Sequence, residues 1–386
     1  MTKAPWPVTP LESLCGFHNG GTPSRTVPEF FGGDIPWLTG ADIRGPLASD
    51  CRTYLTEAGI RSSAACRVPK GTILLVTRTS VGKVAVAERE LSFSQDITAL
   101  RPDERRVDTS YLIHFLRTQE KRFQLESRGA TIKGITREVL ATTRVPLPRV
   151  EEQRRIAAIL DHADALRAKR RTTLAELETL KQSVFLDMFG NPATNPKGWP
   201  TKRLSEIATT TSGGTPARSN HALYGGSIPW VKSGELAREL VTHTEEALTT
   251  EGLRLSSARL MPKGTVLVAL YGATAGQVAT LGLEAATNQA VCCISTGPDL
   301  LPQYLVLLLR LMMPSFLEGR VGGAQPNLSQ GMIRAIPLPL PPLSKQLAFA
   351  DLARSVGSLT EQVAHASHSH DVLFRSLQHR AFRGEL

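Results

Sequence analysis

The chain has 386 residues, 41% of them hydrophobic, a composition that fits a folded globular protein with room for two or three domains. Its formal net charge is +10; residues 1–150 hold 21 Lys or Arg against 15 acids, and residues 200–342 hold 11 against 9. This excess is chiefly arginine and no basic amphipathic helix accompanies it, so it points to a polyanion partner and away from a membrane surface.

Met1–Pro10 carries one Lys, three Pro and no apolar run, so a secretory signal is not expected and a cytoplasmic location is. A short amphipathic segment, Leu11–Phe17, comes first. The Gly20-Gly21-Thr22-Pro23 turn follows, then Ile35-Pro36-Trp37 at an expected strand start. Thr72–Val76, after Pro69-Lys70-Gly71, has the length and composition of a buried strand. Ser80-Val81-Gly82-Lys83 turns into a second strand, Tyr111–Phe123 is expected to be helical, and Gly129–Ile135 is a polar loop.

Glu151–Gly190 is the longest predicted element. Ile156, Ile159, Ala163, Leu166, Leu177, Leu180 and Val184 recur at three- and four-residue steps, the seam of a coiled coil interrupted by Arg170 and Thr173. Glu151 and Glu152 suit the positive end of its dipole, and Gly190-Asn191-Pro192 ends it. From Ile156 to Phe189 such a helix spans about 50 Å. A helix that long in mid-chain needs a flank to pack on.

The remaining elements repeat the first set at an offset of 193 residues. Trp199-Pro200 repeats Trp6-Pro7, Gly213-Gly214-Thr215-Pro216 repeats the glycine turn, and Tyr224–Trp230 repeats Phe31–Trp37. Pro262-Lys263-Gly264-Thr265 repeats Pro69–Thr72, and Thr265–Leu270 is the matching strand. After one inserted residue Gln289 repeats Gln95, and Pro341 and Gln346 repeat Pro148 and Gln153. Tyr304–Leu317 is the second predicted helix of this kind; at Tyr304–Met313 it is the most apolar stretch, too short to span a bilayer and broken by Arg310. The last element supplies the needed flank: Phe349, Leu352, Val356, Leu359, Val363, Leu373 and Leu377 follow the same rhythm, with His370 as a polar seam residue.

The expected fold is therefore α/β (α+β): two similar globular domains and two long antiparallel coiled-coil helices in a pseudo-twofold internal repeat. Expected boundaries are 1–150, 151–190, 191–342 and 343–386.

Catalytic motifs are missing from the sequence. No phosphate-binding Gly-x-x-x-x-Gly-Lys-Ser/Thr occurs, no Asn-Pro-Pro-aromatic, no Gly-x-Ser-x-Gly, and no acid stands two residues before a Lys. Cys15, Cys51, Cys66, Cys292 and Cys293 have no metal-ligand spacing and are expected to be buried free thiols. His365, His368 and His370 form a loose cluster, but only His365 and His368 share a helix face and no clear third ligand joins them, so no metal is expected.

Certain segments carry a resemblance. Pro146-Leu147-Pro148 with Glu152-Gln153, and Pro337–Leu343 with Gln346, resemble the approach to the long helices of type I restriction–modification specificity subunits. Phe185–Pro192 resembles that family's helix exit, and Leu377–Leu386 its C-terminal segment. Pro69–Thr72 and Gly323–Leu328 are similar to its recognition domains. Ser344-Lys345 departs from the family's acidic pair, although Ser344 can cap the helix. The resemblance implies a non-catalytic DNA-reading subunit without cofactors of its own. Each target recognition domain would read one half of a bipartite, asymmetric site in double-stranded DNA, and the helices would set the spacer. Two methyltransferase subunits would dock on the helices, with restriction subunits in the full complex. S-adenosylmethionine, ATP and magnesium are then expected only on those partners. A specificity component of a fused methyltransferase–nuclease system and a two-domain protein-binding scaffold are the competing readings.

Phosphates take Lys, Arg and hydroxyls, and base edges take Arg, Lys, Asn and Gln. The candidate loop residues of the first unit are Arg25, Arg44, Arg78, Thr79, Ser80, Lys83, Arg128 and Lys133. Those of the second are Arg218, Lys232, Tyr271, Gln277, Arg320, Gln325 and Asn327.

Overall fold

The computed structural model describes residues 6–49, 51–129, 133–318 and 327–386. The chain divides into two compact units, one formed by Met1–Arg171 with His365–Leu386 and the other by Thr172–Ala364. The division falls inside both long helices, Val150–Phe189 and Leu343–Ala381, and not at the expected boundaries beside them. The reason is that the helix ends are built into the domain cores.

In the first unit a five-stranded sheet runs in the order Cys15–Asn19, Ile97–Pro102, Ile73–Val76, Val84–Ala87, Leu47–Ala48. The first four strands are mutually antiparallel, and the short Leu47–Ala48 joins in parallel. Ile73–Val76 is buried along its whole length, as expected of an inner strand covered on both faces. A second sheet of four strands contains Phe31–Leu38, and Ile35-Pro36-Trp37 lies toward its end instead of opening it. Leu11–Phe17 is a single 3-10 turn that passes into the strand Cys15–Asn19.

The second unit repeats this plan. Its five-stranded sheet runs Ala208–Ser212, Val291–Thr296, Val266–Ala269, Val278–Leu281, Leu240–Val241. The glycine turns are obligatory in both. A Cβ on Gly20 would lie 2.3 Å from the Phe93 carbonyl oxygen, and one on Gly213 2.2 Å from that of Thr287. Across this close approach the Trp37 indole donates to the Gly21 carbonyl, and the Trp230 indole to that of Gly214, each at 3.0 Å.

A fully buried glutamine fastens each long helix to its domain. Gln153 accepts from the Asp108 amide at 2.8 Å and donates to the carbonyls of Arg106 (3.1 Å) and Pro148 (2.8 Å). Gln346 does the same with the Leu301 amide and the carbonyls of Asp299 and Pro341, all at 2.9 Å. An indole closes the other end: Trp6 donates to Ala381 and Trp199 to Phe189, the last residues of the two helices. Each satisfies a terminal carbonyl that has no partner within the helix.

Within the first unit the two helical segments run antiparallel. Ile156, Ala157 and Leu160 share a core with Phe374 and Ala381, and Arg167 pairs with Asp371 at 2.6 Å. The polar seam residues Arg170 and His370 meet each other there, and both bond the Ala366 carbonyl. Within the second unit Phe185 and Phe189 pack on Phe349 and Tyr304, with Val184 and Ala353 beside them.

The seam itself differs from the sequence reading. Ile156 and Leu177 are buried, and Ile159, Val184, Val356, Val363 and Leu377 are half-buried. Leu166, Leu180, Leu352, Leu359 and Leu373, by contrast, are 41–53% exposed. Positions one or two residues away, among them Arg167, Lys181, Ala353, Thr360 and Phe374, face inward instead. The helices carry apolar residues on two faces, and ion pairs such as Arg167–Asp371 occupy part of the inner one. A hydrophobic count alone could not choose between the faces.

Cys15, Cys292 and Cys293 are buried, and burial raises the first two thiols to about 12 and the third to about 11. Cys51 and Cys66 are half-buried, less enclosed than expected. Among the described residues no helix is long and apolar enough to cross a membrane.

Candidate nucleic-acid interface

Register brings the ends of three strands of the first unit's sheet to one edge. Asn19 lies opposite Thr98, and Val76 lies opposite Ile97. The loops leaving that edge enclose a cleft of about 650 Å³, with Asn19, Arg78, Gln95, Arg128 and Arg137 among its lining residues. Among the described residues no carboxylate lines it. Three arginines and two amides with no acid among them form a surface suited to a polyanion that also presents hydrogen-bonding edges.

The backbone under Arg78 is held from several sides. Thr77 and Arg78 donate to the Asp96 carbonyl at 2.8 and 3.3 Å, Thr79 donates to Lys133 at 3.0 Å, and Gly134 bridges both Arg78 and Arg128. Thr79 adopts φ = 65°, left-handed backbone that a β-branched residue rarely enters. Its counterpart in the second unit is Gly272, at φ = 81°. Strain of this kind persists where the surrounding structure over-determines it. Arg137, one residue past the helix N-cap Thr136, stacks 5.9 Å above the Phe17 ring.

Arg44 and Lys83 line a different groove of about 750 Å³ within the same unit. There Arg117, Arg167, Arg171 and Arg375 from the helices outnumber Glu120, Asp164 and Asp371. Arg117 and Arg167 pair with Asp164 at 3.4 and 2.8 Å. Lys83 donates to the Ile43 carbonyl at 3.2 Å. Arg25 is exposed on the glycine-turn loop, Lys133 is exposed beside the cleft, and Ser80 is half-buried next to Thr79.

The second unit is chemically different. Arg218 lies over Tyr224 and Trp230, 4.7 and 4.9 Å from the ring centroids, and pairs with Glu246 at 2.6 Å. Lys232 bonds Glu245 and Glu246 at 2.8 and 3.0 Å. These hydrogen bonds, first that from Arg218, hold Glu246 below the usual carboxylate range. Both cations are thus engaged inside the protein. Tyr271 and Asn327 are exposed. Gln277 lines a pocket of about 420 Å³ with Leu236, Arg310, Met313 and Leu317, and its Oε1 is buried with no partner among the described residues. Arg320 and Gln325 lie outside the described residues.

At the positions equivalent to the first unit's cleft stand Ser212, Tyr271, Gln289 and Gln330. Gln330 donates to Thr210 at 2.9 Å and accepts from Ser212 at 3.3 Å. Sequence reasoning picked out Arg78, Thr79, Arg128 and Lys133, which the fold brings together. It missed Asn19, Gln95 and Arg137. Gln95 carried a signal, since it returns as Gln289 in the repeat. Nothing in the sequence marked Asn19 or Arg137.

The profile of the type I restriction modification DNA specificity domain matches residues 3–179 and 196–362, most of the chain. The MjaIX type I restriction enzyme specificity subunit of Methanocaldococcus jannaschii is 26% identical over 282 residues, 68% of this chain and 65% of that protein. The EcoR124I/EcoR124II specificity subunit of Escherichia coli is 30% identical over 163 residues, 40% of each chain. These matches therefore span less than two thirds of the relatives' own lengths. Among solved structures, the specificity subunit of the type I system of M. genitalium superposes with a TM-score of 0.59 at 16% identity, covering 98% of this chain and 96% of that one. A chain from a study of type I complex assembly and conformational transition gives 0.59 at 18%, covering all of both. At these identities the two structures establish the fold.

Proposed function

Because the chain belongs to the type I restriction–modification DNA specificity family, we propose that it selects the DNA sequence for a type I restriction–modification complex, each unit reading one half of a bipartite asymmetric site. The observation that carries this reading is the carboxylate-free arginine cleft on one of two copies of a duplicated domain. A polyanion with readable edges fits that cleft, and a copy with different side chains reads a different half.

The long helices, 40 and 39 residues, fix the distance between halves. At about 1.5 Å per residue each spans roughly 60 Å, more than the ~34–36 Å of a DNA turn. Two methyltransferase subunits dock on the helices, where the exposed leucines supply apolar anchors: Leu166 and Leu373 in the first unit, and Leu180, Leu352 and Leu359 in the second. The chain performs no chemistry itself. S-adenosylmethionine belongs to the methyltransferase partners, ATP and magnesium to the restriction subunits, and the assembly works in the cytoplasm on double-stranded DNA.

The test is to exchange residues 200–342 for the same segment of another family member and map methylated adenines in the host. One half of the motif changes and the other, with the spacer, stays. A change in both halves would contradict modular reading.

A further inference from the structure

The two copies of the fold present different chemistry at the same edge of the same sheet, and this difference carries a base preference. We infer that the first unit's half-site contains a guanine read by Arg78, and that Arg78 is a specificity-determining residue; this rests on the DNA-reading function proposed above.

Among the described residues neither the Arg78 nor the Arg128 guanidinium meets a carboxylate, and none lines the cleft. Both forks are thus available to a ligand. An arginine in such a place can grip a phosphate or the O6 and N7 atoms of guanine, and two features favour the base. Its backbone is fixed by the Asp96 and Gly134 contacts and by the left-handed Thr79. A bidentate fork needs that fixity to discriminate, whereas a point contact to phosphate does not. The amides of Asn19 and Gln95 share the cleft. An amide offers a donor and an acceptor together, which matches a base edge and is half wasted on an acceptor-only phosphate.

In the second unit the equivalents of Arg78 and Arg137 are Tyr271 and Gln330, and Gln330 is tied to Thr210 and Ser212. Among the described residues the arginine fork thus belongs to the first unit's reading edge.

The experiment expresses the full chain with its methyltransferase partner and maps methylated adenines for the native chain, Arg78→Lys, Arg78→Gln and the exchange of residues 200–342. The exchange identifies the first unit's half-site as the half that does not change. Arg78 is exposed, so both substitutions leave the fold intact, and thermal unfolding of each variant checks this. The inference predicts a guanine in that half-site. It also predicts that Arg78→Lys, which keeps the charge and loses the fork, lowers discrimination at that guanine about 10- to 100-fold. A half-site without guanine overturns it. So does Arg78→Lys keeping full discrimination while Arg78→Gln weakens binding at every base alike, the signature of a phosphate contact. In both cases the two-part motif persists, so the specificity reading stands without the guanine. A methylation pattern that does not depend on the chain at all overturns both.

Discussion

Replacing Gln153 with methionine tests how the long helix is fastened to its domain. The substitution keeps the volume and removes three hydrogen bonds to the Asp108 amide and the Arg106 and Pro148 carbonyls. All sit around a side chain with no solvent exposure, and the methionine that replaces it offers them no hydrogen bond. Stranding these three backbone groups, the Pro148 carbonyl fully buried and the other two part-buried, costs about 3–5 kcal/mol in total, at the lower end of the range per group. The added apolar burial of methionine returns about 1 kcal/mol. The expected net loss is about 2–4 kcal/mol, and at roughly 2–4 °C per kcal/mol this lowers the first unit's melting temperature by about 4–16 °C. Two units need not unfold as one, so the assay is hydrogen exchange resolved by peptide. Faster exchange concentrates around Asp108 and the start of the Val150–Phe189 helix. Gln346→Met produces the same loss in the second unit. A loss below about 1 kcal/mol in either would refute the reasoning that these glutamines anchor the helices.

Leu177→Arg puts a charge at a buried helix position and lowers the second unit's stability by about 3 kcal/mol or more, while exposed Leu180→Arg changes it by less than about 0.5; chemical denaturation of both separates the observed seam from the sequence-derived one. Thr79→Gly relieves left-handed strain and stabilises the first unit by about 1 kcal/mol, read as a raised melting temperature; a lowered one would show that the strain is absent. His114 is buried, with Nε2 2.7 Å from Asp161 and Nδ1 lacking a partner among the described residues. Burial depresses its pKa below the ordinary 6.5 despite Asp161. The unfolded chain then binds the extra proton, so this contribution to stability is full above pH 6.5 and declines as pH falls toward the lower folded value. His114→Leu, the residue its counterpart Leu307 already provides, flattens the stability profile between pH 7 and 5; an unchanged profile would sink the assignment.

Much of this fold was legible because the sequence states it twice. The 193-residue offset paired the glycine turns, Trp37 with Trp230, Gln153 with Gln346, one inner strand of each unit and both long helices without any structure. What it could not give was the rotation of the helices. Leu166 and Leu373 repeat as regularly as Val356 and Leu377, yet only the latter turn inward; in the first unit the inward face is the one where Phe374 and Ala381 join the core of Ile156, Ala157 and Leu160, residues far apart in the chain. The interface was legible to a similar depth. Arginines on polar loops were visible, and Arg78 and Arg128 meet in the cleft. Arg218 and Lys232 looked no different in sequence, but Glu245 and Glu246 pair with them, and those contacts depend on strand pairing. Arg137 reaches the cleft through the placement of one short helix, which no local pattern encodes.

The central claim is that this chain chooses the methylated sequence. The most direct test maps methylated adenines in a host carrying the chain with its methyltransferase partner, and again with the chain deleted. The account predicts an asymmetric two-part motif that disappears on deletion while the methyltransferase is still produced. A motif that persists unchanged, with the methyltransferase shown to be active, would contradict it.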